Sequence, residues 1–98
     1  MNPKITAEQL KSSITPTDFY RHHLPDAKLN KAGWNDGGLC PFHADNKAGS
    51  FHVNLTTGAF RCFSCNTGGC DIIAFTMELH NLNFKETLTR LSSEWIQL

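Results

Sequence analysis

The chain of 98 residues and 11.0 kDa is the size of one small domain, and its 40% hydrophobic and 18% charged residues exclude an intrinsically disordered protein. Nine Lys and Arg against nine Asp and Glu give a formal net charge of 0, which argues against a protein that holds duplex DNA by non-specific phosphate contacts. No apolar run approaches the roughly 20 residues that cross a membrane, and the N-terminus lacks a signal-peptide segment, so we expect a cytoplasmic protein with no membrane partner.

Two short helices are predicted in residues 1–27. Thr6-Ala-Glu-Gln9 has the form of a capping box and predicts a helix that runs to about Ser13. Thr15-Pro16 predicts the start of a second helix, because proline is preorganised for the first helical position. This helix should end before Pro25 and pack on the rest of the domain through its aromatic residues.

The middle of the chain, residues 33–70, reads as strands and turns. Glycines surround Trp34 and favour a strand and turn there, since they interrupt any helical pattern. Ser50–Asn54 alternates apolar and polar residues, as a half-buried strand does. Leu55–Gly58 has the chemistry of a hairpin turn, Ala59–Phe63 is the returning strand, and Asn66–Gly69 is predicted as a tight turn.

Two further helices are predicted in residues 71–98. Asp71 is placed to cap the first, and Asn83 with Glu86 three residues later is placed to cap the second. The second helix carries an apolar stripe that we expect to pack on the chain's own sheet, with contact to another protein as the alternative: Phe84, Leu88, Leu91 and Trp95. The fold class is therefore α+β, one domain with a small antiparallel hairpin between N-terminal and C-terminal helices.

Cysteine and histidine spacing predicts a metal site. Cys40-Pro-Phe-His43 and Cys62-Phe-Ser-Cys65 are two turns that each aim two side chains at one point, and three thiolates with one imidazole favour a single Zn²⁺ ion. Four protein ligands leave no open position, so the ion should be structural. Cys70 competes with His43 as fourth ligand; we favour His43 and expect Cys70 to be a buried or partly buried free thiol. A redox dithiol of Cys62 and Cys65 is the less supported alternative.

The order of these motifs resembles the zinc-binding domain of bacterial-type DNA primases. That family carries G-L-C-P-F-H, P-S-F-x-V and C-F-x-C-G-x-G-G-D-x-I-x-F, and here the matching segments are Gly38–His43, Ser50–Val53, Arg61–Cys65 and Gly68–Phe75. The chain departs from the pattern at Gly49, where proline is usual, at Asn66, where glycine is usual, and at Cys70, which is additional. These departures lie beside the sheet and affect the expected template preference rather than the fold.

The resemblance implies a zinc ribbon with Cys40, His43, Cys62 and Cys65 as ligands. It implies a module that reads single-stranded template DNA for primer initiation, together with a TOPRIM-type polymerase domain in cis or in trans and with other replication proteins as further candidate partners. The acidic residues form no D-x-D pair, so we expect no catalytic site in this chain. The alternative is a zinc-ribbon adaptor that binds protein in a replication complex.

A ribbon holds single strands by stacking bases on aromatic rings and pairing phosphates with cations. Candidates lie on and around the predicted sheet: Arg61, Lys47, Lys31, His52, Phe60 and Trp34. Alternation does not place both Phe60 and Phe63, so one of the two is expected in the core and the other as a stacking platform. Arg61 is the most specific of them because it precedes a zinc ligand directly. Few cations predict weak binding by the isolated domain and a small dependence on salt.

Overall fold

The computed structural model describes residues 5–44 and 47–96. Within them, no helix is long and apolar enough to span a membrane. The elements in chain order are α1 (Ala7–Ser13), α2 (Pro16–His23), β1 (Trp34–Asp36), β2 (Phe51–Asn54), β3 (Phe60–Cys62), β4 (Gly68–Gly69), α3 (Ile72–His80) and α4 (Phe84–Trp95). The predicted class, α+β with helices on either side of a small antiparallel sheet, is confirmed.

The helices begin where the capping residues predict. The Thr6 side chain accepts a hydrogen bond from the Gln9 N–H at 3.1 Å, and the Gln9 side chain accepts one from the Thr6 N–H at 2.9 Å. Asn83 and Glu86 make the same reciprocal pair at the start of α4. Asp71 Oδ1 accepts from the Ala74 N–H at 2.8 Å, which satisfies one of the free donors at the start of α3.

The four strands form one antiparallel sheet in the order β1-β2-β3-β4. Strand β4 was not predicted: Gly68 and Gly69 pair with Arg61 and Phe60, where the sequence indicated only a turn. Gly69 fits because a side chain there would collide with the ring of Phe60 and with Ala74, since an ideal Cβ would lie 2.7 Å from atoms of both.

The core lies between the sheet and the helices and is rich in aromatic rings. The Phe75 ring on α3 makes edge contacts with Phe60 at 5.4 Å, Tyr20 at 5.2 Å and Phe19 at 5.5 Å. The Tyr20 hydroxyl donates a buried hydrogen bond to the Gly58 carbonyl, which ties α2 to the β2–β3 hairpin. The predicted packing of α2 through its aromatic residues is therefore present.

The apolar stripe of α4 is mostly used within the chain, but on helices rather than on the sheet. Leu91 is buried, Leu88 and Trp95 are half-buried, and Phe84 is exposed. Helix α4 packs chiefly on α1 and α3. The expectation that the stripe packs directly on the sheet was wrong, because α3 already covers that face of the sheet with Phe75.

Candidate metal centre and nucleic-acid interface

Four potential metal ligands converge beside the sheet. Cys40 and His43 lie in the segment that follows β1, Cys62 ends β3, and Cys65 lies in the turn after it. Their ligand atoms, three sulfurs and one imidazole nitrogen, all lie within 4.8 Å of one another. The structure thus brings together the four residues that the sequence predicts as zinc ligands.

The spacing and chemistry of this group fit one structural zinc ion. The sulfur atoms of Cys40 and Cys65 are 3.8 Å apart, and tetrahedral zinc with Zn–S bonds of about 2.3 Å separates two sulfurs by about 3.8 Å. Three sulfurs with one imidazole nitrogen complete four-coordination, as structural sites require. The site needs no ligand from outside the group.

The two pKa shifts in the group have different physical causes. Hydrogen bonding from the side chain and backbone of Thr67 lowers the pKa of Cys65 to about 6, which favours the thiolate that a metal requires. Burial raises the pKa of Cys40 to about 12, so a metal must displace the proton from this thiol. Loading of the site is therefore linked to proton release.

The turn that holds Cys62 and Cys65 is closed by backbone hydrogen bonds. The Asn66 N–H donates to the Cys62 carbonyl at 2.9 Å, and the Cys62 N–H donates to the Thr67 carbonyl at 2.8 Å. Asn66 adopts the left-handed conformation with φ of 63°. Asparagine tolerates this region better than other non-glycine residues, which explains how Asn66 can occupy a position where the primase zinc-domain motif usually has glycine.

Cys70 lies outside the metal group in the described part of the chain and is exposed. The expectation of a buried or partly buried thiol was wrong. Cys70 falls between β4 and the Asp71 cap, where the chain has left the sheet and the side chain is exposed.

Among the described residues the sheet has a second, outer face, whose side chains are half-buried or exposed. Alternation along the strands places five side chains on it: Trp34, Asp36, His52, Asn54 and Arg61. His52 stands directly opposite both Asp36 and Arg61, so these three form one row across β1, β2 and β3. Trp34 stands opposite Asn54 and is 48% exposed.

Phe63 joins this face at its edge; of the two phenylalanines between which the sequence did not decide, Phe63 is the exposed one and Phe60 the core one. Phe63 is 67% exposed, its ring centroid lies 5.7 Å from that of His52, and the Arg61 guanidinium lies 5.6 Å from it. Arg61 Nη2 also donates to Asn66 Oδ1 at 3.4 Å. The available signal was its position inside the second turn: Cys62 and Cys65 direct their sulfurs to the metal group, which favours an outward direction for Phe63, one of the two residues between them.

The remaining residues that the sequence predicts as DNA contacts do not all lie on the outer face of the sheet. Phe60 is only 2% exposed and belongs to the core, so its assignment as a DNA contact was wrong; it faces inward opposite Val53. Lys31 and Lys47 are exposed in segments beside the sheet. The Lys31 segment is held by buried Asn35, whose Oδ1 accepts from the Lys31 N–H at 3.3 Å and whose amide donates to the Lys31 carbonyl at 2.8 Å.

Comparison with known proteins agrees with this geometry. Residues 3–97 match the family model of the CHC2 zinc finger. The chain belongs to this family. A DNA primase of Borreliella burgdorferi is 48% identical over 83 residues, covering 85% of this chain, and a DNA primase of Streptomyces coelicolor is 46% identical over 65 residues, covering 66% of it.

The CHC2 zinc finger also has a solved structural relative. The crystal structure of Aquifex aeolicus primase, comprising zinc-binding and RNA polymerase domains, superposes with a TM-score of 0.70 at 26% identity and covers 90% of this chain. The chain corresponds to only 21% of that structure, and to 15% and 10% of the two curated relatives. It therefore matches a small part of each longer primase.

Proposed function

We propose that this CHC2 zinc finger is a primase module that contacts single-stranded template DNA where a primer begins. The observation that carries the proposal is the outer face of the sheet, where Arg61, His52 and the exposed ring of Phe63 lie together beside the metal group. Cationic and aromatic side chains on a sheet face are the groups that bind phosphates and stack bases.

The metal has a supporting role in this proposal. Cys40, His43, Cys62 and Cys65 would hold one zinc ion, which would fix the turn that carries Phe63 beside the start of β2. The Phe63 N–H donates to the Ser50 carbonyl at 2.9 Å, so the turn and the sheet edge are joined by backbone as well. Zinc thus presents the aromatic ring and takes no part in chemistry.

The same surface suggests how a strand is held. Bases stack on Phe63 at one side of the face and on Trp34 at the other, while Arg61, Lys31 and Lys47 neutralise phosphates. Three or four phosphate contacts give a salt slope of only about −2 to −3 on a double logarithmic scale. Binding by the isolated module is therefore weak, and a tethered polymerase domain supplies the remaining affinity.

The polymerase partner is of TOPRIM type and acts in cis or in trans. The proposal draws on the similarity to longer primases and to the Aquifex aeolicus structure with its RNA polymerase domain. It places the module in the cytoplasm, with other replication proteins as further candidate partners.

Direct binding to a fluorescein-labelled single-stranded decanucleotide tests the proposal, measured by anisotropy on the zinc-loaded protein at two salt concentrations. Phe63→Ala should weaken binding about 5- to 100-fold, because stacking is worth about 1–3 kcal/mol per base. Arg61→Ala should weaken it and reduce the salt slope by about 0.7.

Helix α4 offers matched controls for both changes. Phe84 is 51% exposed and Arg90 is exposed, and both lie on a helix away from the outer face. Phe84→Ala and Arg90→Ala should leave DNA binding within about twofold of the wild type. Absence of single-strand binding at low salt, or equal losses in the α4 variants, would contradict template contact and favour a protein-binding adaptor.

A further inference from the structure

Asn35 is a buried amide on the inner face of the sheet. It lies in the middle of β1, opposite Val53, and is only 3% exposed. A buried amide is costly unless its donors and acceptor are hydrogen-bonded. In the described part of the chain, the hydrogen bonds of this side chain all go to the backbone of residues 30–33, which we call the Lys31 loop.

The Asn35 amide closes this loop with four hydrogen bonds. Its Oδ1 accepts from the N–H groups of Asn30 and Lys31, at 3.1 and 3.3 Å. Its Nδ2 donates to the carbonyls of Lys31 and Gly33, at 2.8 and 3.0 Å. An amide has two donor hydrogens and two acceptor sites, so Asn35 uses its full capacity on the loop. Its buried polar group therefore serves the conformation of the Lys31 loop.

Backbone and turn contacts hold the chain on both sides of the Lys31 loop. Before it, the Lys28 N–H donates to the Asp36 carbonyl at 3.0 Å in a bridge beside β1. At its end, the Gly33 N–H donates to Thr56 Oγ1 at 3.0 Å, and the Gly33 carbonyl accepts from the Leu55 N–H at 2.8 Å. The loop is thus ordered in the protein alone, without a ligand.

The ordered loop presents a positive charge beside an exposed ring. Residues 30–32 are exposed, and Lys31 takes part in no ion pair within residues 5–44 and 47–96. The loop leads directly into Trp34, which is exposed on the outer face of the sheet. A cation fixed next to an aromatic ring suits a single strand, in which each phosphate adjoins a base that can stack.

We propose that Asn35 is a positioning residue for template binding, which acts through Lys31 by fixing the loop that carries it. This inference rests on the proposed single-strand contact and adds to it the cause of the cation's placement. An ordered backbone leaves only the lysine side chain to be immobilised when DNA binds, so the entropic cost of binding is lower than for a mobile loop.

The first test compares Lys31→Ala with Asn35→Ala in the anisotropy assay, on zinc-saturated proteins whose circular dichroism is native. Lys31→Ala should weaken binding about 5-fold at about 0.1 M salt and lower the salt slope by about 0.7, since it removes one phosphate contact. Asn35→Ala keeps every charge of the protein but should cause losses of similar size. A residue that only stabilised the fold would leave the affinity and the salt slope of the folded protein unchanged.

Double variants show whether Asn35 acts through Lys31. Once Lys31 is alanine, the added change Asn35→Ala should weaken binding by no more than about twofold, because the lysine that it positions is gone. Arg61 lies on β3, outside the Lys31 loop, and so provides the comparison. The losses from Asn35→Ala and Arg61→Ala should multiply when the two changes are combined.

Two further variants make the test specific. Thr76 is also 3% exposed, and its Oγ1 donates to the Ile72 carbonyl within α3. Thr76→Val therefore removes a buried hydrogen bond far from the loop and should leave DNA binding unchanged. Gly33→Val serves if Asn35→Ala does not fold: Gly33 has φ of 78°, and an ideal Cβ there meets no atom within 4 Å. Valine strains the loop backbone without filling the core, and should weaken binding as Asn35→Ala does.

The outcomes separate this inference from the proposed function. Wild-type affinity and salt slope in folded Asn35→Ala, or in Gly33→Val where that variant replaces it, overturn the positioning role alone. Losses from Asn35→Ala and Lys31→Ala that multiply in the double variant also overturn it, since Asn35 would then act by another route. Failure of the wild type to bind any single strand at low salt overturns both proposals.

Discussion

At the scale of single residues, His23 occupies a position that links pH to stability. Its ring lies 4.4 Å from that of Phe19 and 5.8 Å from that of Phe75. Burial lowers its pKa, with a further decrease from His22, His80 and Arg90 and an opposing effect from Glu94. The folded protein therefore favours the neutral imidazole, while the unfolded chain titrates near pH 6.5.

The sign of the pH effect follows from proton binding. Below about pH 6.5 the unfolded chain binds a proton at His23 more readily than the folded protein does. The contribution of His23 to the free energy of unfolding is therefore fully present above that pH and is lost as the pH decreases through the lowered pKa of the folded state. His23→Gln should flatten this part of the profile. Urea unfolding at saturating zinc between pH 5 and 8 measures it, and subtraction cancels the metal ligands common to both proteins.

A histidine that lies on the sheet, outside the group of rings around His23, provides the comparison. His52→Gln removes an imidazole from the outer face of the sheet, away from the rings of Phe19 and Phe75, and serves as the control for loss of a histidine. If His23→Gln and the wild type lose stability in parallel, the histidine does not contribute to the acid dependence.

At the scale of elements, α3 depends on its N-cap residue, Asp71. Asp71 caps the helix through the Ala74 N–H and also pairs with Lys11 of α1 at 3.4 Å. Asp71→Ala should lower the free energy of unfolding by about 1–2 kcal/mol, mostly from the lost cap, because an exposed ion pair contributes little. Urea denaturation of the zinc-saturated protein gives the value.

Asparagine separates the two contributions at this position. Asp71→Asn keeps a good capping group and removes the charge, so it should cost less than about 1 kcal/mol. An equal loss in both variants would assign the effect to the ion pair and contradict the capping argument.

The helices were the most predictable elements because their start signals are local. Thr6, Thr15, Asp71 and Asn83 each cap the helix that the sequence assigns to them. Strand β4 could not be predicted in the same way, since two glycines have no side-chain pattern and their pairing with β3 is set by the tertiary fold.

The metal ligands of the candidate site could also be predicted, because their spacing is a local signal as well. Spacing alone groups Cys40 and His43 with the second cysteine pair, because each turn of two intervening residues aims its ligands together. The roles of Phe60 and Phe63 depend on where alternation ends. Strand β3 stops at Cys62, so Phe60 keeps the inward direction and Phe63, in the turn, faces out.

At the scale of the whole molecule, aromatic contacts connect the metal group to the helices. Phe42 lies between Cys40 and His43, and its ring is 5.4 Å from Phe60 and 5.2 Å from Phe75. Phe75 in turn contacts the α2 rings. A small domain buries a limited core, so loss of the metal should disorganise the helices as well as the sheet.

Single-cysteine variants test whether zinc binding requires the predicted ligands and not the additional thiol of Cys70. Cys62→Ser should abolish tight zinc binding and folding at micromolar zinc, because structural sites in small domains contribute on the order of 10 kcal/mol of apparent binding free energy. Cys70→Ser removes an exposed thiol outside the metal group and should leave zinc content and melting temperature unchanged. Equal zinc loss in both would place Cys70 among the ligands.

The two tryptophans allow the coupling between sheet and helices to be followed directly. Trp34 lies on the sheet and Trp95 on α4, where its ring is 5.7 Å from that of Phe19. Trp95→Phe leaves Trp34 as a reporter of the sheet, and Trp34→Phe leaves Trp95 as a reporter of the helices. During removal of zinc by a chelator, both fluorescence transitions should coincide with the loss of helical circular dichroism. If the folded-state fluorescence of Trp95 persists after that of Trp34 is lost, the helices fold without the metal. The aromatic contacts through Phe42 would then not couple the metal group to the helices.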